Sequence, residues 1–94
     1  MAKLIVQHRV QDYTRLKPVF DEHGKVRQKH GAKGHTLYRA VDDPRVLVIL
    51  TEFPTTQGAK AFAADPTLKE AMARAGVESV PNIYLCEEVE AVRY

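Results

Sequence analysis

Four histidines, His8, His23, His30 and His35, are the side chains of this sequence best suited to proton transfer or metal ligation near neutral pH. No His-x-x-His pair and no cysteine-rich cluster accompanies them, so a metal centre is not expected. His23 and Arg27 stand four residues apart and share one face of any helix that contains them, with His23 inside an apolar stripe. His23 is then a candidate general acid or base, and Arg27 a candidate for steadying an anion. The plainer alternative is a histidine packed between helix and sheet and bonded to a backbone carbonyl. Glu52 is a third catalytic candidate, since a desolvated carboxylate becomes a base. His8, Tyr38 and Tyr84 on strand-like stretches, with Phe62 and Met72 at helical spacing, are candidate pocket residues. Each has an ordinary structural role as its competitor: a wet strand end, a tyrosine whose hydroxyl reaches water, a helix core.

Other chemistries find little support. Ser79 is the sole serine and precedes a proline without a nucleophile-elbow pattern. Cys86 lies mid-strand, where a small buried hydrophobe is the default, and as the only cysteine it has no disulfide partner within the chain. Gly31-Ala32-Lys33-Gly34 lacks the Lys-Ser/Thr ending of a phosphate loop, so no nucleotide is expected, nor any other cofactor. The formal charge is +2, from 14 Lys plus Arg against 12 Asp plus Glu, and no run of about five or six charges of one sign occurs. Nucleic-acid binding, which rests on clustered cations, is not expected. No stretch approaches the length of a membrane span, and the first residues have no apolar leader pattern, so a cytoplasmic location is expected.

The elements that must position these residues follow from hydrophobic period. Leu4 to Val10 reads as a strand, and Asp12 then caps a helical stretch to about His30, with Leu16, Val19, Phe20, His23 and Val26 on one face. Pro18 is expected to disturb the start of that helix, and Gly31 to close it in a left-handed cap. His35 to Val41 and Val46 to Phe53 are strands joined by the turn Asp42-Asp43-Pro44-Arg45, hence an antiparallel hairpin. A second helical region opens at Pro54-Thr55-Thr56, breaks at Asp65-Pro66, resumes through Leu68, Met72 and Ala75, and stops at Gly76. Ile83 to Val92 forms the last strand. The order β-α-β-β-α-β predicts a single α+β domain over residues 1–94, a ferredoxin-like fold with a four-stranded antiparallel sheet.

In the third strand Val46, Val48 and Leu50 face one way while Leu47, Ile49 and Phe53 face the other. A sheet with one wet face alternates apolar and polar residues, and this strand does not. Helices hide only one set, and leaving the other in water forgoes roughly 1.5–3 kcal/mol per large side chain. A second copy of the sheet is the simplest cover, which predicts a homodimer built as a dimeric α/β barrel.

Val10-Gln11-Asp12-Tyr13, Phe20-Asp21-Glu22-His23 with Arg27, Gly34, Tyr38-Arg39 and Asp42-Asp43-Pro44 resemble the antibiotic-biosynthesis-monooxygenase-like proteins of the dimeric α/β-barrel superfamily. Phe62, Asp65-Pro66-Thr67-Leu68-Lys69, Ala71-Met72, Ala75-Gly76-Val77 and Pro81 extend the resemblance over nearly the whole chain. It implies a homodimer with a pocket between each sheet and its helices. It also implies a cofactor-independent monooxygenase, isomerase or cyclase acting on an apolar or aromatic metabolite, or a non-enzymatic dimeric ligand-binding or assembly module. Oxygenases of that family rely on Asn and Trp helped by Arg, and the haem-degrading relatives on Asn, Trp and His. This sequence has no Trp, and its one asparagine, Asn82, opens the last strand.

Overall fold

The computed structural model describes every residue from Met1 to Tyr94. Its elements, in chain order, are β1 (Ala2–Arg9), α1 (Tyr13–Glu22), α2 (Gly24–Lys29), β2 (Gly34–Arg39), β3 (Val46–Phe53), α3 (Thr56–Ala63), α4 (Pro66–Arg74) and β4 (Asn82–Glu87). Three of the helices start on a side chain that accepts an otherwise orphaned backbone N–H: Asp12 from Thr14 at 2.9 Å, Thr55 from Gly58 at 3.0 Å, and Asp65 from Thr67 at 2.9 Å. Such caps each contribute about 1 kcal/mol.

Each of the two helical stretches is a pair, the break in the second being the expected one. The second divides at Asp65-Pro66, where a capping aspartate and a first-turn proline start a new helix. The first does not break at Pro18, which lies inside α1; it breaks five residues later at His23, with Gly24 opening α2. Gly31 follows with a φ of 95°, the left-handed conformation expected of a helix stop, and Gly76 ends α4 with a φ of 79°.

The sheet is fully antiparallel in the order β2-β3-β1-β4, so the fold is ferredoxin-like. The last strand is shorter than its apolar residues predict. Glu87 pairs with Ala2, where β1 begins, so residues 88–94 have no neighbouring strand to continue the ladder and run on exposed. β2 likewise covers Gly34–Arg39 rather than reaching Val41.

Side-chain alternation sorts the sheet into two unlike faces. Ala2, Leu4, Val6 and His8 of β1, opposite Phe53, Thr51, Ile49 and Leu47 of β3, lie buried under the helices. Leu16, Phe20, Ala59 and Phe62 close over them and complete the core. On the other face, one row across the sheet runs Thr36, Leu50, Ile5, Tyr84 and the next runs Tyr38, Val48, Gln7, Asn82. Nothing in the chain packs over those rows as the helices do over the first face. Ile5, Val48 and Leu50 are half-buried, while Tyr38 and Tyr84 are 53% and 58% exposed.

Candidate functional site

Between the helices and the sheet lies an apolar cavity of about 50 Å³. Val6, His8, Ile49 and Thr51 form its floor, and Phe20, His23, Arg27, Phe62 and Met72 are among the helical residues that wall it. The structure therefore brings together five of the eight candidate residues: His8, His23, Arg27, Phe62 and Met72. Glu52, Tyr38 and Tyr84 are not among them. All three sit on the opposite face of the sheet, because their registers place them in the rows of Lys3, Gln7 and Ile5. The expectation that they join the same pocket is corrected by parity: one residue along a strand reverses the face. Glu52 instead faces Lys3 at 3.8 Å.

His23 terminates α1, and the break in the helix there delivers its ring to the start of α4. Its Nε2 lies 2.9 Å from Thr67 Oγ1. Thr67 gives its hydroxyl hydrogen to Asp65 Oδ1 at 2.6 Å, so its oxygen is left to accept from His23 Nε2–H. Asp65 Oδ2 in turn accepts from His30 Nε2 at 2.8 Å. The four side chains form one chain, His30–Asp65–Thr67–His23, with the Phe62 ring tilted against His23 at 5.6 Å and edge-on to His30 at 6.1 Å. The hydrogen bond from His30, then those from Thr67, hold the Asp65 carboxyl well below the usual carboxylate range, so it acts purely as an acceptor. Burial first, and the nearby Arg27 charge second, push the His23 pKa down. A neutral His23 with its proton on Nε2 keeps Nδ1 as the basic nitrogen.

Arg27 is only 6% exposed, yet no carboxylate pairs with it. Its Nη2 donates to the Phe20 carbonyl at 2.8 Å, and its guanidinium carbon lies over the Phe20 ring, 3.7 Å from the centroid. Stacking on an aromatic face offsets part of the cost of burying a cation, which in proteins is several kcal/mol. Burial pulls its pKa down, with Asp21 acting in the opposite sense. His8 is buried to 2% exposure, its Nδ1 has no hydrogen-bond partner, and burial lowers its pKa as well. An imidazole nitrogen without a partner in an apolar floor is costly.

The sequence reading singled out His23 and Arg27 but missed what orients His23. The signal was local: Asp65-Pro66-Thr67 is a helix-start pattern whose hydroxyl and carboxylate serve a second purpose. Its distance of 44 residues from His23 concealed the contact. His35 lies at the start of β2, edge-on to Phe20 at 4.8 Å. No group of three or more His, Cys, Asp or Glu side chains is placed to hold a metal ion. Asn82 lies on the far face of the sheet and donates to Gln7 Oε1 at 2.6 Å. No helix is long and apolar enough to cross a membrane.

No protein-family model and no curated protein matches the sequence. Solved structures do match its fold. An antibiotic biosynthesis monooxygenase superposes with a TM-score of 0.71 at 20% identity, covering 96% of this chain and 100% of its own. A Bordetella bronchiseptica protein assigned to the same class gives 0.78 at 14% identity over 95% and 97% of the two chains. The N63A mutant of SnoaB, a cofactor-independent oxygenase from Streptomyces nogalater, gives 0.77 at 15% identity over 99% and 97%. At such identities the shared property is the fold, the one that the sequence resemblance implied, and no residue role transfers with it.

Proposed function

We propose that the chain works as a homodimer in which each protomer binds a small apolar or aromatic metabolite between sheet and helices, and that His23 moves a proton on it without a cofactor. The observation that carries this reading is the His30–Asp65–Thr67–His23 chain of hydrogen bonds ending on the cavity wall beside Arg27. It orients one imidazole and selects its tautomer, which is what a general base requires. A proton taken from an acidic C–H or O–H leaves an enolate or phenolate that the Arg27 charge favours. Returning that proton to another carbon is isomerisation, and attack of the carbanion on a carbonyl carbon of the same molecule, whose π bond breaks and whose oxygen takes the proton back, is cyclisation. Attack on dioxygen is oxygenation: one oxygen atom stays on the carbon, the other leaves as water with the two hydrogens of the oxidised CH₂, and no external reductant is consumed. The cofactor-independent oxygenase with the same fold supports the last outcome.

What supports the dimer is the uncovered face of the sheet, where Ile5, Val48 and Leu50 sit between two exposed tyrosines. Light scattering at micromolar concentration is expected to give twice the chain mass.

The proton-transfer reading is tested by solvent-deuterium exchange and oxygen uptake with one- to three-ring phenols and ketones bearing an acidic C–H. The expected result is accelerated exchange that falls at least a hundredfold in His23→Ala, the usual scale for a positioned base, while binding survives. Binding with no exchange on any compound favours the alternative, a non-enzymatic dimeric ligand-binding module. The cavity of about 50 Å³ compares with about 150 Å³ for an apolar cavity that holds a benzene ring, so a ring-sized ligand enters as the helices that wall the cavity move outward.

A further inference from the structure

Arg27 borders two spaces. One side belongs to the apolar cavity already described. The other belongs to an open polar cleft of about 230 Å³, lined by Asp21, Gly24, Gln28, Lys33 and His35 among others. A buried guanidinium between an oily chamber and a wet cleft is expected to have a carboxylate of the protein as counter-ion. The nearest candidate is already committed: both oxygens of Asp21 lie 2.6 Å from Lys17 Nζ. Arg27 spends one N–H of its five on the Phe20 carbonyl, and its guanidinium carbon lies over the Phe20 ring. Whichever Nη2 hydrogen is used, one complete two-pronged edge of the guanidinium stays free, the geometry that takes a planar carboxylate through two parallel hydrogen bonds. Gly24 keeps the place open, because a Cβ there would stand 3.2 Å from Nη2. Lys33 lines the same cleft, so with Arg27 its cations outnumber Asp21.

We propose that the ligand of this protein is a small apolar acid, whose carboxylate is held by the free edge of Arg27 at the cleft while its hydrophobic body enters the cavity toward His8 and Met72. This rests on the reading that the cavity is the ligand site, and it adds the chemical class. The carboxylate supplies the counter-ion that the fold withholds from Arg27. It also fixes which end of the molecule meets His23, because an anion anchored at the cleft leaves the apolar end facing inward.

The test is a calorimetric or NMR titration of the full chain with benzoate and with benzamide, which share size and shape and differ in charge. Wild type is expected to bind benzoate at least tenfold more tightly than benzamide. Arg27→Gln is expected to bring the two within twofold of each other by losing benzoate affinity alone, and Arg27→Lys to keep part of the preference. Equal binding of both probes by wild type leaves the cavity reading standing and overturns the carboxylate. A preference that survives in Arg27→Gln places the anion elsewhere and overturns it too. If neither probe binds, the cavity reading fails, and this inference with it. Should Arg27→Gln not fold, the Arg27 Nε–H resonance of wild type decides: it must shift with benzoate and stay within twofold of the digital resolution with benzamide, and equal responses overturn the proposal.

Discussion

The two faces of the sheet break the same rule in opposite directions. Under the helices, where side chains should be apolar, stand His8, Thr51 and the guanidinium of Arg27, all buried. On the outer face, where they should be polar, stand Ile5, Val48, Leu50, Tyr38 and Tyr84. A globular protein hides its oil and wets its charges, so each departure has a cost in isolation. The inner departures line a cavity, and the outer ones are neighbours across the strands. The first suits the ligand proposed above, and the second suits the proposed second copy of the sheet.

Substitutions that separate the faces sharpen this contrast. The largest effect is expected at Phe53, fully buried on the helix side: Phe53→Ala should cost about 3–5 kcal/mol in chemical denaturation, the range for a large core truncation. Leu50→Glu on the outer face should leave the fold's circular dichroism unchanged while weakening self-association by a hundredfold or more in sedimentation, because two-fold symmetry sets like charges across the interface. If instead Leu50→Glu unfolds the chain and Phe53→Ala does not, the assignment of faces is inverted.

A smaller effect is expected at Gly58. In an exposed helix Gly→Ala adds stability, but here a Cβ would come within 2.6 Å of the His30 carbonyl oxygen, so Gly58→Ala should lose about 1–3 kcal/mol. Thermal melts of the two chains check the sign. The smallest effect is a pH dependence. The folded-state pKa of His8 lies below its unfolded value near 6.5, so the unfolded chain takes up the proton first as pH falls. His8 therefore contributes a loss of stability that begins as pH drops through about 6.5 and continues toward the folded pKa. His8→Leu should reduce the fall in stability between pH 7 and 5 by about 1 kcal/mol, and at pH 5 it should be at least as stable as the parent. A variant that steepens the fall would mean that the imidazole is charged in the native state.

The architecture was legible because period and punctuation agree: Asp12, Thr55 and Asp65 cap helices as their types dictate, and Gly31 and Gly76 take the left-handed stops. Half of the site was legible for the same reason, since His23 and Arg27 are four apart on one helical stretch. The break at His23 was not, because Pro18 is the stronger local breaker, yet a proline early in a helix forfeits only one bond. Glu52, Tyr38 and Tyr84 were misplaced because residue type suggests a pocket while register alone says which face a strand residue joins. Thr67 and Asp65 were hidden because a capping motif looks the same whether or not a histidine 44 residues away leans on it.

Burial keeps His23 neutral, and the hydroxyl of Thr67, itself committed to Asp65, holds the ring proton on Nε2. A long-range proton–nitrogen correlation spectrum of the histidine rings at pH 7 reports this directly. The account predicts a protonated Nε2 and an unprotonated Nδ1 for His23, and loss of that tautomer preference in Thr67→Val. A ring carrying its proton on Nδ1, or on both nitrogens, would contradict it.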